Sequence, residues 1–421
     1  MPIIFFESGK SNSSFENENA YVITDPGGTT VFTDGTTPAT GTVFTTVPSC
    51  TFTDPVTGTV TMERYVDAGE TYWRYMCSAV QGSVLGDVND DFVTAGYPGS
   101  HFPNFGWISA YSYNEALTPG NGYVPASNIT HGLFPGAGWQ VWCGDTITGP
   151  EPFTFDFTGV PNQGDIVMPV TYTPSGTPTE DGWNLVGNPY ASTIDWDDPA
   201  WTKTNMANAI YIQNPDNQQY ATYVAGASTN GGSRYIASQQ AFWVQAFAAA
   251  PVLTAREGVK SNVDQAFLKN SAEENPGLKI TLQGVEEFDE AIIRHLDGAV
   301  DEFEYLVDAE KWYGGWGEYP QLSVINNESK DLTVHSFDNG NQELSIPIRA
   351  IVFENGVYHL NFDNLSSVNS ACMILEDLYT GETYMLEEGG SYPFEMSDTT
   401  YAPRFLLHVG KNYESTVTKA T

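Results

Sequence analysis

The chain has 421 residues, with 16 Lys and Arg against 52 Asp and Glu, so its formal net charge is −36. This acidic composition excludes the basic footprint that nucleic-acid binding needs, and it opposes docking on anionic lipid. Charged residues make up only 16% of the chain and aromatic residues 13%, which indicates a packed globular protein rather than a disordered acidic tail. A chain of this length predicts two or three domains.

Residues 1–60 are rich in Thr and Gly and contain two Asp-Pro turns, at Asp25-Pro26 and Asp54-Pro55. We predict two or three strands here, forming either the end of a preceding domain or an added sheet. The apolar run after Met1 is too short for a signal-peptide core, and no apolar stretch is long enough to span a membrane. For an exported protein, this absence predicts that the chain is a processed or excised part of a longer protein.

Two long segments, 61–260 and 277–410, contain short runs with an apolar residue at every second position, bounded by turn-forming residues. Leu278, Ile280 and Leu282, for example, alternate with polar neighbours. A period of two places one face inward and the other toward water, as in antiparallel sheets. We predict an all-β protein with tandem β-sandwiches of the jelly-roll or immunoglobulin-like kind, one in each segment.

Three further segments complete the predicted organisation. Residues 182–190 (GWNLVGNPY) combine a tryptophan, turn formers and a proline, which predicts a rigid backbone corner at the centre of the first sandwich. Residues 261–276 are polar and are predicted to be a linker with room for a short helix. Residues 411–421 are predicted to be a second linker. Cys77 and Cys143 lie in strand-like runs and are predicted to be buried thiols, although the sequence leaves disulfide pairing open.

The run 87–91 (DVNDD) places oxygen ligands at alternating positions, as at the start of a calcium-binding loop. The remainder of an EF-hand is missing, because Phe92 stands where glycine is required and Pro98 where the bidentate glutamate belongs. Two interpretations stay open: a calcium site of another kind, or a solvated turn. If it is a calcium site, the predicted ligands are Asp87, Asn89 and Asp91. Asp195, Asp197 and Asp198 form a similar, weaker cluster.

Aromatic residues offer a second kind of candidate site. Trp312 and Trp316 flank Gly314-Gly315 in a turn-rich stretch, where an exposed ring could stack on a sugar. They are the predicted ligand-binding residues. Three other tryptophans lie inside strand patterns and are predicted to belong to the core: Trp73, Trp183 and Trp243.

Catalytic motifs are missing from the sequence. It contains no Gly-x-Ser-x-Gly elbow, no His-Glu-x-x-His and no phosphate loop, and its six histidines are scattered singly. Carboxylates are abundant, but abundance without a defined separation does not indicate a glycosidase. We predict that the chain is not an enzyme and has no cofactor, with a calcium ion at 87–91 as the open alternative.

Several segments resemble, in their order, surface and secreted proteins of Bacteroidota that are exported by the type IX secretion system. These segments cover roughly residues 64–410 and are 64–80, 159–165, 182–190, 220–223, 231–232, 236–244, 290–291, 308–311, 375–378 and 401–405. The resemblance implies an extracellular or cell-surface location, export by the type IX machinery, and a cleavable sorting domain beyond residues 411–421. It implies no activity, because such proteins have many functions. Thr146 and Thr399 also lie in triplets that resemble the O-glycosylation signal of Bacteroidota.

These observations favour a non-catalytic structural or adhesive region of a surface or secreted protein. Its expected partners are other surface subunits, glycans on another cell or a second copy of the chain, with neither nucleic acid nor membrane insertion. One alternative is a glycan-binding accessory module of a secreted enzyme. Another is a hydrolase without a recognisable motif.

Overall fold

The computed structural model of the chain describes residues 21–24, 30–34, 55–66, 72–118, 121–143, 152–215, 218–266, 277–314, 319–338, 343–368, 370, 372–396 and 402–410. Within these ranges the secondary structure consists of strands and four 3-10 helices, which are Leu85–Val88, Glu115–Leu117, Glu257–Val259 and Leu365–Ser367. The all-β prediction is confirmed. None of the helices in these ranges has the length and apolar character needed to cross a membrane.

The first nine strands are β1 (Tyr21–Thr24), β2 (Thr30–Asp34), β3 (Val60–Val66), β4 (Tyr72–Met76), β5 (Val80–Gln81), β6 (Ala110–Tyr113), β7 (Tyr123–Pro125), β8 (Trp139–Cys143) and β9 (Phe153–Pro161). Strands β1 and β2 pair with each other. The first unit consists of two sheets, ordered β3-β9-β5 and β4-β8-β6-β7. Phe155 and Phe157 alternate with polar residues along β9, so both rings enter the core between these sheets.

The next ten strands are β10 (Ile166–Val167), β11 (Trp183–Gly187), β12 (Ile194–Asp195), β13 (Thr202–Thr204), β14 (Met206–Gln213), β15 (Tyr220–Val224), β16 (Ala227–Thr229), β17 (Tyr235–Ile236), β18 (Ala241–Ala246) and β19 (Val252–Ala255). They form the second unit, whose main sheet has the order β11-β18-β14-β15-β16. Smaller sheets, β10-β19-β13 and β12-β17, cover its second core. Segment 61–260 thus contains two packed cores.

The corner at 182–190 has the architectural role that its sequence indicates. The Asn188 side chain donates to the carbonyls of Ser192, Ile236 and Ala237 at 2.8, 3.1 and 3.0 Å, and its Oδ1 accepts from the Tyr190 amide at 3.0 Å. One buried amide therefore fixes the path of the chain on both sides of Pro189.

The corner also receives a strand of the first unit. Cys77 donates from Sγ to the Asn188 carbonyl at 3.1 Å, and its side chain occupies the space beside Gly187. Cys77 and Cys143 are both free and buried, so the prediction of two buried thiols is confirmed. Burial raises the pKa of Cys77 far above that of an ordinary thiol, and it raises the pKa of Cys143 to about 12.

The last eleven strands are β20 (Leu278–Gln283), β21 (Phe288–His295), β22 (Ala309–Glu310), β23 (Gln321–Ile325), β24 (Asp331–Phe337), β25 (Leu344–Ile351), β26 (Gly356–Asp363), β27 (Met373–Asp377), β28 (Glu382–Met385), β29 (Gly390–Met396) and β30 (Phe405–Val409). They form the third unit, a single sheet with the order β28-β27-β30-β25-β23-β24-β21-β20-β26-β29 and with β22 paired to β24. Within this sheet, β21 and β24 pair in parallel, and all the other described strand pairs are antiparallel.

This long sheet curls around one core. Leu278, Ile280 and Leu282 are fully buried within it, as their alternation predicts. The two ends of the sheet approach each other, because the Tyr392 hydroxyl of β29 lies 3.4 Å from carboxylate oxygens of Asp377 in β27 and Glu382 in β28. Among the described residues, each strand pairing joins two strands that both precede, or both follow, segment 261–276 in the chain.

The three units meet in a further apolar cluster. Tyr75 of the first unit, Trp183 and Trp243 of the second, and Ile292 and Val334 of the third share this cluster and are at most 5% exposed. Burial of this extent restricts relative motion of the units, because separating them would expose large aromatic surfaces to water.

Candidate functional site

The sheet β4-β8-β6-β7 of the first unit is apolar on both faces. Strand alternation points Arg74 and Met76 to one side and Trp73 and Tyr75 to the other. Met76 belongs to the first core. The opposite face is aromatic, because the strand register aligns Trp73 with Trp142. A sheet face of this kind needs either a covering layer or a ligand.

The second unit covers only half of the aromatic face. Trp243 packs edge-on against Tyr75, Tyr113 and Tyr123, with ring centroids 6.1, 4.6 and 6.2 Å away. These contacts belong to the junction between the units, and the second unit does not reach the far half of the face within the described residues.

Three tryptophans occupy the uncovered half. The centroid of Trp73 lies 5.2 Å from that of Trp107 and 5.5 Å from that of Trp142, and Trp107 and Trp142 are 5.1 Å apart. Trp107 is 36% exposed. Tyr111 extends the group, 5.7 Å from Trp73. The other three rings are partly buried. Most large aromatic rings lie in protein cores, so a contiguous, partly exposed group of them indicates a contact surface.

The outer face of the sheet in the third unit lies across from this aromatic face. Leu322 and Val324 point into its core, so the alternate residues of β23 and the residues aligned with them point outward. The register places Ser323 beside Arg349 and Gln321 beside Ile351. This outer face looks across at the aromatic face of the first unit.

Between these walls lies a cleft of about 790 Å³, to which all three units contribute. Its lining residues are Trp73, Tyr111, Asn121, Tyr123, Gln140, Gln213, Tyr220, Tyr313, Gly314, Gln321, Asp331, Arg349, Ile351 and Phe353. The volume falls in the range of small-molecule sites, which combine aromatic walls with a few polar groups. We name this site the junction cleft.

The charges in the junction cleft balance. Arg349 and Asp331 form an ion pair, and Asp331 also accepts from Ser323 Oγ at 2.6 Å. The buried Nε of Arg349 has no hydrogen-bond partner among the described residues. Burial raises the pKa of Tyr111 and therefore favours its neutral phenol. Apart from this ion pair, the described lining presents aromatic rings and uncharged hydrogen-bonding groups.

Trp312, one of the two predicted ligand-binding residues, lies half-buried at the junction. Its ring is stacked on Tyr211 at 5.0 Å and packs against Trp183, Tyr220 and Trp243 at 4.4, 5.0 and 5.4 Å. It supports Tyr220, which lines the cleft, and it is not itself among the lining residues. Contact between Trp312 and a ligand stays a prediction.

The other tryptophans divide into three cases. Trp316 lies outside the described residues, two positions along the chain from the cleft residue Gly314. Trp183 and Trp243 are 5% and 2% exposed, so their core prediction is confirmed. The core prediction for Trp73 is wrong, because Trp73 lies on the face of β4 opposite the first core, and that face is only partly covered. The sequence signal was the presence of aromatic residues at both odd and even positions of YWRY and WQVW, which places rings on both faces of the sheet.

The predicted calcium ligands are each engaged in local hydrogen bonds. Asp87 Oδ2 accepts from the Val84 amide at 2.9 Å, and Asn89 Oδ1 accepts from Thr94 Oγ1 at 2.7 Å. Asp91 Oδ2 accepts from the Asp156 amide at 3.1 Å. The described part of the chain has no group of three or more His, Cys, Asp or Glu side chains placed to hold a metal ion. Calcium binding stays a prediction.

Carboxylates nevertheless accumulate beside this loop. Burial raises the pKa of Asp91 to about 6, with further increases from the charges of Asp156 and Asp90. Burial, followed by the charges of Asp90 and Asp87, also raises the pKa of Asp156. Because like charges repel, each carboxyl holds its proton more firmly than an isolated one.

The weaker cluster at 195–198 has structural contacts. Asp195 accepts from Arg234 Nε and Nη2 at 2.7 and 2.6 Å, in a bidentate ion pair. Asp197 accepts from the Tyr223 hydroxyl, and Asp198 accepts from the Ala200 amide at 2.8 Å. The two candidate glycosylation residues, Thr146 and Thr399, lie outside the described residues.

One group of side chains has the composition of a hydrolase triad. Ser345 Oγ lies 2.9 Å from His408 Nδ1, and His408 Nε2 lies 2.9 Å from Glu376 Oε2. The serine-hydrolase triad uses the two imidazole nitrogens the other way round. The group lies on the outer face of the sheet in the third unit. Ser345 is exposed there, and the side chains of His408 and Glu376 are 38% and 36% exposed. An open sheet surface neither excludes water nor encloses a substrate.

Comparison with known proteins identifies a family. Neither a curated protein nor a solved structure matches this chain. A family model described as a domain of unknown function, DUF8693, matches residues 56–409, which is most of the chain and includes the three units and the junction cleft. The chain therefore belongs to the DUF8693 family.

Proposed function

We propose that the chain is a non-catalytic adhesive and structural region of a cell-surface or secreted protein that is exported by type IX secretion. The junction carries this proposal, because it fixes three β units against one another around an open aromatic cleft. An adhesive region needs that combination of a stiff body and an accessible contact surface. The ordered resemblance across residues 64–410 supports the export route.

Polar contacts strengthen the junction. Asn230, in the turn after β16 of the second unit, donates from Nδ2 to Asp289 Oδ1 at 2.8 Å and from its backbone amide to Glu290 Oε2 at 2.7 Å. Thr229 and Thr333 lie 3.1 Å apart through their hydroxyls. Since these groups are largely withdrawn from water, losing a partner would cost more than it does at the surface.

The described groups of the junction cleft support a non-catalytic role. Its one described carboxylate, Asp331, is neutralised by Arg349. Glycoside hydrolysis uses two carboxyl groups on opposite sides of the scissile bond, one of them with a raised pKa. The glycan-binding accessory module remains the second candidate function, and the aromatic lining of the cleft favours it.

Export can be tested on intact Bacteroidota cells that carry the parent gene. An antiserum against the purified chain should label whole cells or the culture medium, and protease added outside should remove the cell-bound signal. A strain without a working type IX translocon should retain the protein in the periplasm. A protease-resistant, cytoplasmic signal in both strains would contradict the proposal.

A further inference from the structure

None of the buried clusters formed by the described residues includes the far half of the aromatic face in the first unit. Trp73, Trp107 and Trp142 touch one another, yet none of them belongs to the buried clusters of the three units. Their exposed surface costs free energy in water. This group continues directly into the junction cleft through Trp73 and Tyr111, which belong to its lining.

We propose that the junction cleft binds a neutral oligosaccharide, with Trp73 and Tyr111 as the stacking platform. The inference rests on the proposed adhesive function and deepens it, since it names the class of ligand that the surface contacts. Trp107 extends the platform beyond the cleft and would contact a further sugar unit of a longer chain.

The shape and aromatic content of the cleft favour a sugar. Pyranose rings present flat C–H faces that pack on aromatic rings, and their hydroxyl edges need both hydrogen-bond donors and acceptors. The cleft supplies rings on the wall of the first unit and side-chain amides at Asn121, Gln140 and Gln213. An amide offers a donor and an acceptor from one side chain, which matches a hydroxyl group.

One described polar side chain of the cleft is free to receive a ligand. The Gln140 side chain makes no hydrogen bond to any described residue and extends from the same sheet face as Tyr111, its register partner. A ligand hydroxyl beside this amide could both donate and accept a hydrogen bond.

The charges favour a neutral ligand over an acidic one. The whole chain has a formal net charge of −36, and the described charged residues of the cleft, Asp331 and Arg349, cancel each other. A uronate or sulfate would therefore meet a repulsive field without an unpaired cation to bind it. A neutral glycan meets no such barrier.

The test is affinity electrophoresis of the purified chain in native gels that contain soluble polysaccharides. Neutral glucans, mannans and xylans form one set of gels, and polygalacturonate and alginate form the acidic set. Titration calorimetry with an oligosaccharide from the retarding polymer then gives the affinity. We expect retardation by at least one neutral polymer and none by the acidic polymers.

Variants locate the site. Trp73→Ala should weaken binding by about tenfold or more, because a central aromatic contact dominates a small interface, and Gln140→Ala should weaken it by less. The matched control is Phe134→Ala, which removes a ring that is 69% exposed in the same unit and lies outside the cleft. Thermal unfolding of each variant shows whether the fold survives, and Trp73→Phe keeps a ring if Trp73→Ala does not fold.

Each outcome decides the inference. Retardation by a neutral polymer that is lost in Trp73→Ala and kept in Phe134→Ala supports it. No neutral binding at millimolar sugar, preference for acidic polymers, or equal losses in both variants overturns it. Surface labelling of cells is unaffected by these results, so a failed sugar site and a failed export proposal remain distinguishable.

Discussion

The ammonium group of Lys311 forms an ion pair with the carboxylate of Asp289, and both side chains are withdrawn from solvent, with exposures of 2% and 0%. The same carboxylate accepts from the Leu322 amide at 2.6 Å and from Asn230 Nδ2 at 2.8 Å. One buried carboxylate therefore connects strands within the third unit and joins that unit to the second.

Replacing Lys311 with Met should strongly destabilise the protein. The change removes the cation and leaves Asp289 charged in an apolar interior. Such a change typically lowers the free energy of unfolding by about 3 to 5 kcal/mol. Urea unfolding followed by tryptophan fluorescence measures this free energy of unfolding. The control is Arg256→Met at the Arg256–Asp165 ion pair, where both side chains are about half exposed and a loss within about 1 kcal/mol is expected. Equal losses would contradict the structural importance of the buried pair.

Gly187→Ala should also destabilise the protein, because the first and second units approach closely at this residue. A Cβ at Gly187 would lie 2.3 Å from the Cys77 Cβ and 2.4 Å from its Sγ. Overpacking of this kind costs about 1 to 3 kcal/mol. Gly106→Ala is the control, since a Cβ there meets nothing within 4 Å. The interface prediction fails if both substitutions shift the urea midpoint equally.

Asp91→Asn should stabilise the protein near neutral pH. The folded-state pKa of Asp91 is raised to about 6, above its value in the unfolded chain, so the folded state binds more protons between about pH 4 and 6. Stability is therefore lost as the pH rises through this window. The variant should unfold about 1 to 4 °C higher than the wild type at pH 7.5 and at the same temperature near pH 4.

The control for this prediction is Asp297→Asn, which changes a fully exposed carboxylate. Its unfolding temperature should follow that of the wild type at both pH values. A stabilisation by Asp91→Asn that is equally large near pH 4 would show that ionisation of the buried Asp91 carboxyl is not its cause.

Calcium should stabilise the wild type no more than magnesium does. The oxygen atoms predicted to bind it already accept hydrogen bonds from Val84, Thr94 and Asp156. Thermal unfolding at about 1 to 10 mM of either cation tests this, because weak extracellular calcium sites fill in that range. A calcium-specific rise that disappears in Asp87→Asn would establish the metal site that the sequence pattern suggests.

The group formed by Ser345, His408 and Glu376 should be chemically inert. The purified chain should neither react with a fluorophosphonate probe nor hydrolyse short esters faster than Ser345→Ala does, because the serine lies on an open sheet surface without enclosed oxyanion donors. Intact-mass spectrometry detects the adduct. Labelling that is lost in Ser345→Ala would revive the hydrolase alternative.

The sequence by itself determined the strand content, the inward face of each regular strand and the rigid corner. Leu278, Ile280 and Leu282 are buried because a period of two leaves one set of side chains facing the core. Asn188 and Tyr190 hold the corner through hydrogen bonds that involve residues near them in the chain as well as distant ones. The alternation of side chains along a strand and the turn at Pro189 follow from local backbone geometry, which the sequence specifies directly.

Only the tertiary structure decided which aromatic residues form the junction cleft. Trp73 and Trp243 occupy similar strand patterns, yet a neighbouring unit covers Trp243 and leaves part of the surface around Trp73 open. Coverage depends on how separate sheets meet, and this involves residues more than 200 positions apart, such as Trp73 and Arg349. Periodicity identifies the two faces of a strand, but what lies against each face is fixed by packing over long distances in the chain.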